Sequence, residues 1–150
     1  VSGWAQHLDD HYEQPTGVIG IVVAAKFPEP DLIREKLEEG IARVPADTVW
    51  VVRGARKRGD AISVAWDVLE EHGIEPLLAV SNTAYWGTAA RGWRDAELLT
   101  TCERLIVFHD ISSHVTDYFV DHPHTGCKVF KIERGKKKVA KRKGRKPKGV

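Results

Sequence analysis

Short apolar runs recur along this 150-residue chain at residues 18–25, 48–52, 76–80, 105–108 and 128–132, and segments of helical periodicity separate them. The first, VIGIVVAA, is β-branched and has no polar residue to mark a wet face. A strand reads this way when it is covered on both sides, because a half-exposed strand alternates apolar with polar residues. TVWVV and PLLAV repeat the pattern, and RLIVFHD and KVFKI carry it to the end of the body.

The intervening segments supply the cover. Asp31 stands where it can cap a helix whose apolar stripe is Leu32, Ile33, Leu37, Ile41 and Val44. Residues 61–73 form a second helix with Ile62, Ala65, Trp66 and Leu69 inward and Gly73 as its stop. Two shorter helices are expected within residues 95–103 and 113–122, and Trp50 and Trp66 belong to the core. Strands and helices that alternate at this spacing join as parallel strands through right-handed crossovers. The expected fold is therefore α/β, a Rossmann-like three-layer sandwich with a five-stranded parallel sheet in the order 3-2-1-4-5. In such a sheet ligands bind outside the carboxyl ends of the strands, beside the point where strand order reverses.

Charge divides the chain more sharply than its net value of +2 shows. Ten of its 23 Lys and Arg residues lie from Arg134 onward, where there is no acid, so residues 1–133 carry 13 basic against 21 acidic groups, a charge of −8. The expected organisation is an arm over residues 1–17, one domain over residues 18–133, and a polybasic tail over residues 134–150 that stays disordered without an anionic partner. Cys102 and Cys127 are far apart in sequence and form no CxxC pair, which fits a reducing cytoplasm better than a disulfide framework or a zinc ribbon. No apolar run approaches the roughly 18 residues of a membrane span, and residues 1–17 lack a basic start followed by an apolar stretch, so neither an anchor nor an export signal is expected.

Residues 53–60, RGARKRGD, place two glycines and four cations between a buried strand and a helix. Gly54 and Gly59 permit close backbone approach, Arg56, Lys57 and Arg58 supply charge, Asp60 can cap the helix, and a helix N-terminus favours an anion. Phosphate binding and a solvated basic turn are both open on this loop alone. It is neither a P-loop nor GxGxxG.

With this loop, the segments VVRGARKRGDAISVAWDVLEEHGI, ARGWRDAELLTTCERLIVFHD and SSHVTDYFVDHPHTGCKVFKI follow one another in an order and spacing that resembles the SLOG superfamily, YspA-like branch, over residues 18–133. The resemblance implies a nucleotide or nucleotide-derived ligand at the strand ends. It matches Gly54 and Asp60 to the family's glycine loop and its closing acid, Arg94 and Asp95 to an Arg-Asn pair opening the helix before strand 4, and residues 109–116 to the segment after strand 4. Departures are Ala55 for a second glycine, Asp95 for Asn, and HDISSHVT in place of the PGGxGT-type segment of the related LOG phosphoribohydrolases. Asp117 falls near the catalytic carboxylate of those enzymes, so nucleotide N-glycosidic hydrolysis is the minority expectation. The leading one is noncatalytic binding, with no cofactor, by Lys26, Phe27, Gly54, Arg56, Lys57, Arg58, Gly59, Asp60, Arg94, Asp95, His109, Asp110, Ser112, Ser113 and Thr116.

Other constellations are weaker. His122, His124 and Cys127 sit in one loop, HPHTGC, whereas structural zinc sites recruit separated ligand pairs, so solvated histidines and no metal are expected. Tyr85, Trp86 and Trp93 lie near Arg91 and Arg94, and base stacking, closure of the core edge and a subunit contact in a homo-oligomer all remain open. The tail, with Lys136, Lys137, Lys138, Lys141, Arg142, Lys143, Arg145, Lys146 and Lys148, has the composition for nonspecific DNA or RNA binding, while a solubilising tail or one that folds back on the acidic body stays open. The resemblance to the SLOG superfamily, whose distant DNA-processing members include DprA, implies for this reading a nucleic-acid-associated factor with the domain as scaffold or partner surface. Deleting residues 135–150 is expected to remove salt-dependent nucleic-acid binding in fluorescence anisotropy. Affinity that survives the deletion would assign that binding to the body instead.

Overall fold

A computed structural model of the chain describes residues 17–81, 87–110, 113–121 and 127–134. The strands are β1 (Val18–Val23), β2 (Val49–Val52), β3 (Leu77–Leu78), β4 (Arg104–Asp110) and β5 (Lys128–Arg134). The helices are α1 (Pro30–Arg43), α2 (Ile62–Glu71), α3 (Ala90–Thr101) and α4 (His114–Asp121). All paired strands are parallel and their order is β3-β2-β1-β4-β5, as expected. No described helix is long and apolar enough to cross a membrane. The expected N-terminal arm and polybasic tail lie almost wholly outside the described residues.

Side-chain alternation along the strands assigns each residue to one of two cores. Val18, Val22, Val49, Val51, Leu105 and Val107 pack with Leu98, Leu99 and Cys102 of α3 and Phe119 of α4. Ile19, Ile21, Val23, Trp50, Val52 and Phe108 pack with Ile33 and Leu37 of α1 and Ile62, Ala65, Val68 and Leu69 of α2. Every residue of β1 and β2 is buried, which explains the missing polar alternation. Gly20 faces α3, where an added Cβ would come within 2.6 Å of Leu105 Cδ1 and 2.9 Å of Cys102 Sγ. Both neighbours are themselves buried, so the close approach of helix to sheet requires glycine there.

Helix ends account for most departures from expectation. α1 starts at Pro30, whose fixed φ suits the first helical position, so Glu29 becomes the N-cap and Asp31 falls within the first turn instead of capping. Asp60 does not cap α2 either. Ala61 holds that position without a side-chain bond, and Asp60 contributes its carbonyl oxygen to Ser63 Oγ and Ser63 N–H. Gly73 closes α2 as expected: at φ 71° its N–H donates to Glu70 O, and Ile74 N–H donates back to Leu69 O in a Schellman arrangement.

α3 and β5 extend beyond their expected bounds in ways that bear on the site and the sheet edge, and β3 is shortened. α3 begins at Ala90, so Arg94 and Asp95 lie one turn inside the helix and do not open it. Its inward face carries Asp95 ahead of Leu98, Leu99 and Cys102, and this polar interruption hides the apolar stripe at the start. β5 continues through Glu133 and Arg134, pairing them with His109 and Asp110, so Arg134 belongs to the sheet and not to the tail. β3 is reduced to Leu77–Leu78 at the opposite edge. Gly20→Val is expected to destabilise the domain by about 1–3 kcal/mol through overpacking, read as a lower urea midpoint. An unchanged midpoint would contradict the close α3 contact.

Candidate functional site

Arg53 follows Val52 directly at the carboxyl end of β2, and alternation sends it to the face of Val49 and Val51, toward α3. There its Nε donates to Asp95 Oδ1 at 2.8 Å and its Nη2 to Oδ2 at 3.1 Å, a two-point grip on the carboxylate. Arg94 Nε donates to the same Oδ1 at 3.0 Å, and Arg94 Nη1 lies 3.4 Å from the hydroxyl of Ser81, three residues beyond β3. The guanidinium carbon of Arg53 sits 5.8 Å from the ring centroid of Phe119 on α4. The side chains of Arg53, Arg94 and Asp95 are only 15%, 10% and 12% exposed, so the two guanidinium groups meet their shared carboxylate in a largely desolvated place.

Phe119 packs edge-on against Tyr118, with ring centroids 5.1 Å apart at 88°. Burial pushes the Tyr118 phenol above its ordinary pKa, and the Asp95 charge adds to this, so the hydroxyl keeps its proton near neutral pH. Beside Arg53, Gly54 adopts φ 111° with nothing within 4 Å of where a Cβ would stand. Its carbonyl accepts a 3.1 Å bond from Trp66 Nε1, which fixes the start of the loop on α2.

A second cluster braces the end of β4. His109 shares the face of Leu105 and Val107, is 3% exposed, and places Nδ1 2.7 Å from Thr116 Oγ1. Its Nε2 lies 3.7 Å from Glu133 Oε2 on β5. Thr116 Oγ1 also donates to Ser113 O at 3.4 Å, so its single proton is shared between that carbonyl and His109 Nδ1 unless Nδ1 itself donates to the hydroxyl oxygen. Ser113 Oγ accepts the Thr116 N–H at 3.3 Å and thereby caps the start of α4. Ser113 N–H in turn donates to Asp110 O at 2.7 Å, so this cluster ties strand, turn and helix together.

The remaining nominated residues disperse. Arg56 turns away from the strand ends to Asp67 and Glu70 on the outer surface of α2. Lys57 Nζ is 4.0 Å from Asp60 Oδ2, Arg58 is exposed, and Gly59 makes a turn at φ 90°. Ala61 N–H donates to Ala25 O at 2.9 Å, which brings the loops after β1 and β2 side by side. Lys26 is exposed, but Phe27 is a core residue, 4% exposed and edge-on to Phe108 at 5.6 Å between centroids. Ser112, Tyr85, Trp86, His122, His124, the tail cations from Lys136 to Lys148, and the side chains of Trp93 and Asp117 lie outside the described residues.

Arg94 and Asp95 lie in this cluster, and their chief partner, Arg53, was not among the nominated residues, nor were Ser81 and Phe119. The signal for Arg53 was available: it continues the parity of Val49 and Val51 past the end of a strand covered on both faces. Comparison of the chain with family profiles, with curated proteins and with solved structures returned no match.

Asp95→Ala would leave two guanidinium groups crowded without their carboxylate, and is expected to cost about 3 kcal/mol in urea unfolding. Arg56→Ala removes only exposed pairs and is expected to leave the urea midpoint nearly unchanged. Equal effects of the two substitutions would contradict the distinction between them.

Proposed function

We propose that this domain binds the anionic part of a nucleotide or nucleotide-derived small molecule at the carboxyl ends of its strands, as a member of the SLOG superfamily, with Arg53 and Arg94 as the anion-holding pair. The observation that carries this reading is the convergence of those two part-buried arginine side chains on Asp95 beside the open Gly54 turn. A guanidinium fork gripped along one side by a carboxylate keeps its other N–H groups in a fixed plane, which is the pre-organisation that phosphate recognition uses. The strand order supports the location, since doubly covered parallel sheets bind ligands at this end.

Binding without turnover suits the arrangement better than hydrolysis. His109, the residue with the greatest acid-base capacity in the nominated set, is buried as a brace between Thr116 and Glu133. Cys102 and Cys127 are both free thiols buried in the core. Burial raises both thiol pKa values, so neither is a ready nucleophile, and free thiols accord with a cytoplasmic setting. The segregation of nine cations beyond Arg134, behind an acidic body, favours a separate proposal for the tail, nonspecific contact with DNA or RNA.

Calorimetry with nucleoside mono- and diphosphates and ADP-ribose tests the main reading. At least one ligand is expected to bind, with Arg53→Ala weakening it about tenfold or more and Arg56→Ala leaving it unchanged. Failure of both the full chain and a form ending at Arg134 to bind any of them would overturn the reading, as would an Arg53→Ala variant of undiminished affinity.

A further inference from the structure

The two edges of the sheet differ in kind. β3 offers two residues, a short edge that gives a neighbouring strand little to pair with, whereas β5 runs for seven and has β4 on one side. On the α1 face of β5, Phe130 is 50% exposed and Ile132 is half-buried. Together with Ile106 they line a groove of about 200 Å³ whose other wall is α1, at Lys36, Glu39, Gly40 and Arg43. Val129, Lys131 and Glu133 point to the other face, where Lys131 Nζ lies 3.6 Å from Glu133 Oε1.

Edge strands are usually protected by lysines, and β5 carries Lys128 and Lys131. Their positions nevertheless leave one register in which a second β5 fits. A two-fold axis normal to the sheet pairs residues of equal parity, so the choice of centre decides which side chains meet. Centred on Lys131, the pairing sets Lys131 against Lys131 and Lys128 against Arg134. Centred on Phe130, it sets Lys128 against Ile132. Centred on Ile132, it sets Ile132 against Ile132, Lys131 against Glu133 twice, and Phe130 against Arg134 twice, and leaves Lys128 and Val129 beyond the end of the other β5. The last arrangement joins opposite charges on one face, and on the other it joins apolar side chains flanked by a guanidinium over an exposed ring. Arg134 is already held on that face by Glu29 at 2.7 Å.

We propose that β5 is the contact between two copies of this chain, paired antiparallel about a two-fold axis at Ile132 to make one continuous ten-stranded sheet. Charge complementarity selects the second copy as occupant and this register among the three. Because the strands run oppositely, the chain leaves β5 at opposite ends of the shared ribbon, which separates the two polybasic segments that begin after Arg134. The contact lies away from Arg53, Arg94 and Asp95, so it stands independently of ligand binding.

Sedimentation of the full chain tests the contact, and cysteine cross-linking tests the register. The wild type is expected to sediment as a dimer, Lys131→Glu and Glu133→Lys each as a monomer, and their equimolar mixture as a dimer again, because the mixture restores both opposite-charge pairs. Ile132→Cys is expected to form a disulfide-linked dimer on mild oxidation, while Lys131→Cys is not. The cross-linking arm does not depend on Glu133, whose replacement also touches His109. A monomeric wild type overturns the proposal, including one whose β5 amides are protected by residues 1–16 of the same chain. A dimer that cross-links through Lys131→Cys, or that survives both charge reversals, overturns it as well.

Discussion

Each strand of this sheet sends alternate side chains to opposite faces, and helices lie on both, so a residue's parity decides its destination. That constraint extends beyond the ends of the strands. Arg53, one step past β2, inherits the direction of Val51 and arrives at Asp95, while His109 inherits the direction of Val107 and arrives at Thr116. On the same grounds Phe130 and Ile132 emerge on the α1 side of the edge strand, where they line the groove beside that helix. The hydrophobic pattern therefore positions polar groups as firmly as it builds the core.

A largely buried carboxylate shared by two arginines is a poor device for stability alone, since the cost of desolvating three charges offsets much of their attraction. Its effect is geometric. Asp95 orients both guanidinium groups at the end of the sheet where a ligand is expected, and Phe119 restricts Arg53 from the side. The His109, Thr116 and Ser113 bonds play a comparable part for the turn after β4, holding α4 against the strand that precedes it. The two clusters meet on α4, where Thr116 and Phe119 are one helical turn apart.

Much of the fold was legible in the sequence, because the strands are dense apolar runs and the helices carry clear stripes. What escaped had local causes. Asp31 and Asp60 are good capping residues placed one or two positions from the actual caps, where Pro30 and the loop geometry decided the start. The opening of α3 was hidden because Arg94 and Asp95 interrupt its inward face between Ala90 and Leu98. In the candidate cluster, Arg94 and Asp95 had been nominated only through the expected family resemblance. The basic loop drew attention to Arg56, Lys57 and Arg58, whereas the cation directed to the strand ends was Arg53, next to the strand. Acidic residues on the outer surface of α2 claimed Arg56, and local sequence does not reveal such a partner.

The central claim is that Arg53 and Arg94, oriented by Asp95, form the anion-holding pair. Side-chain NMR of the arginine Nε–H groups during titration with inorganic pyrophosphate tests this most directly. The account predicts saturable shifts of the Arg53 and Arg94 resonances while that of Arg56 stays in place. Shifts confined to Arg56, or no saturable shift at Arg53 and Arg94, would contradict it.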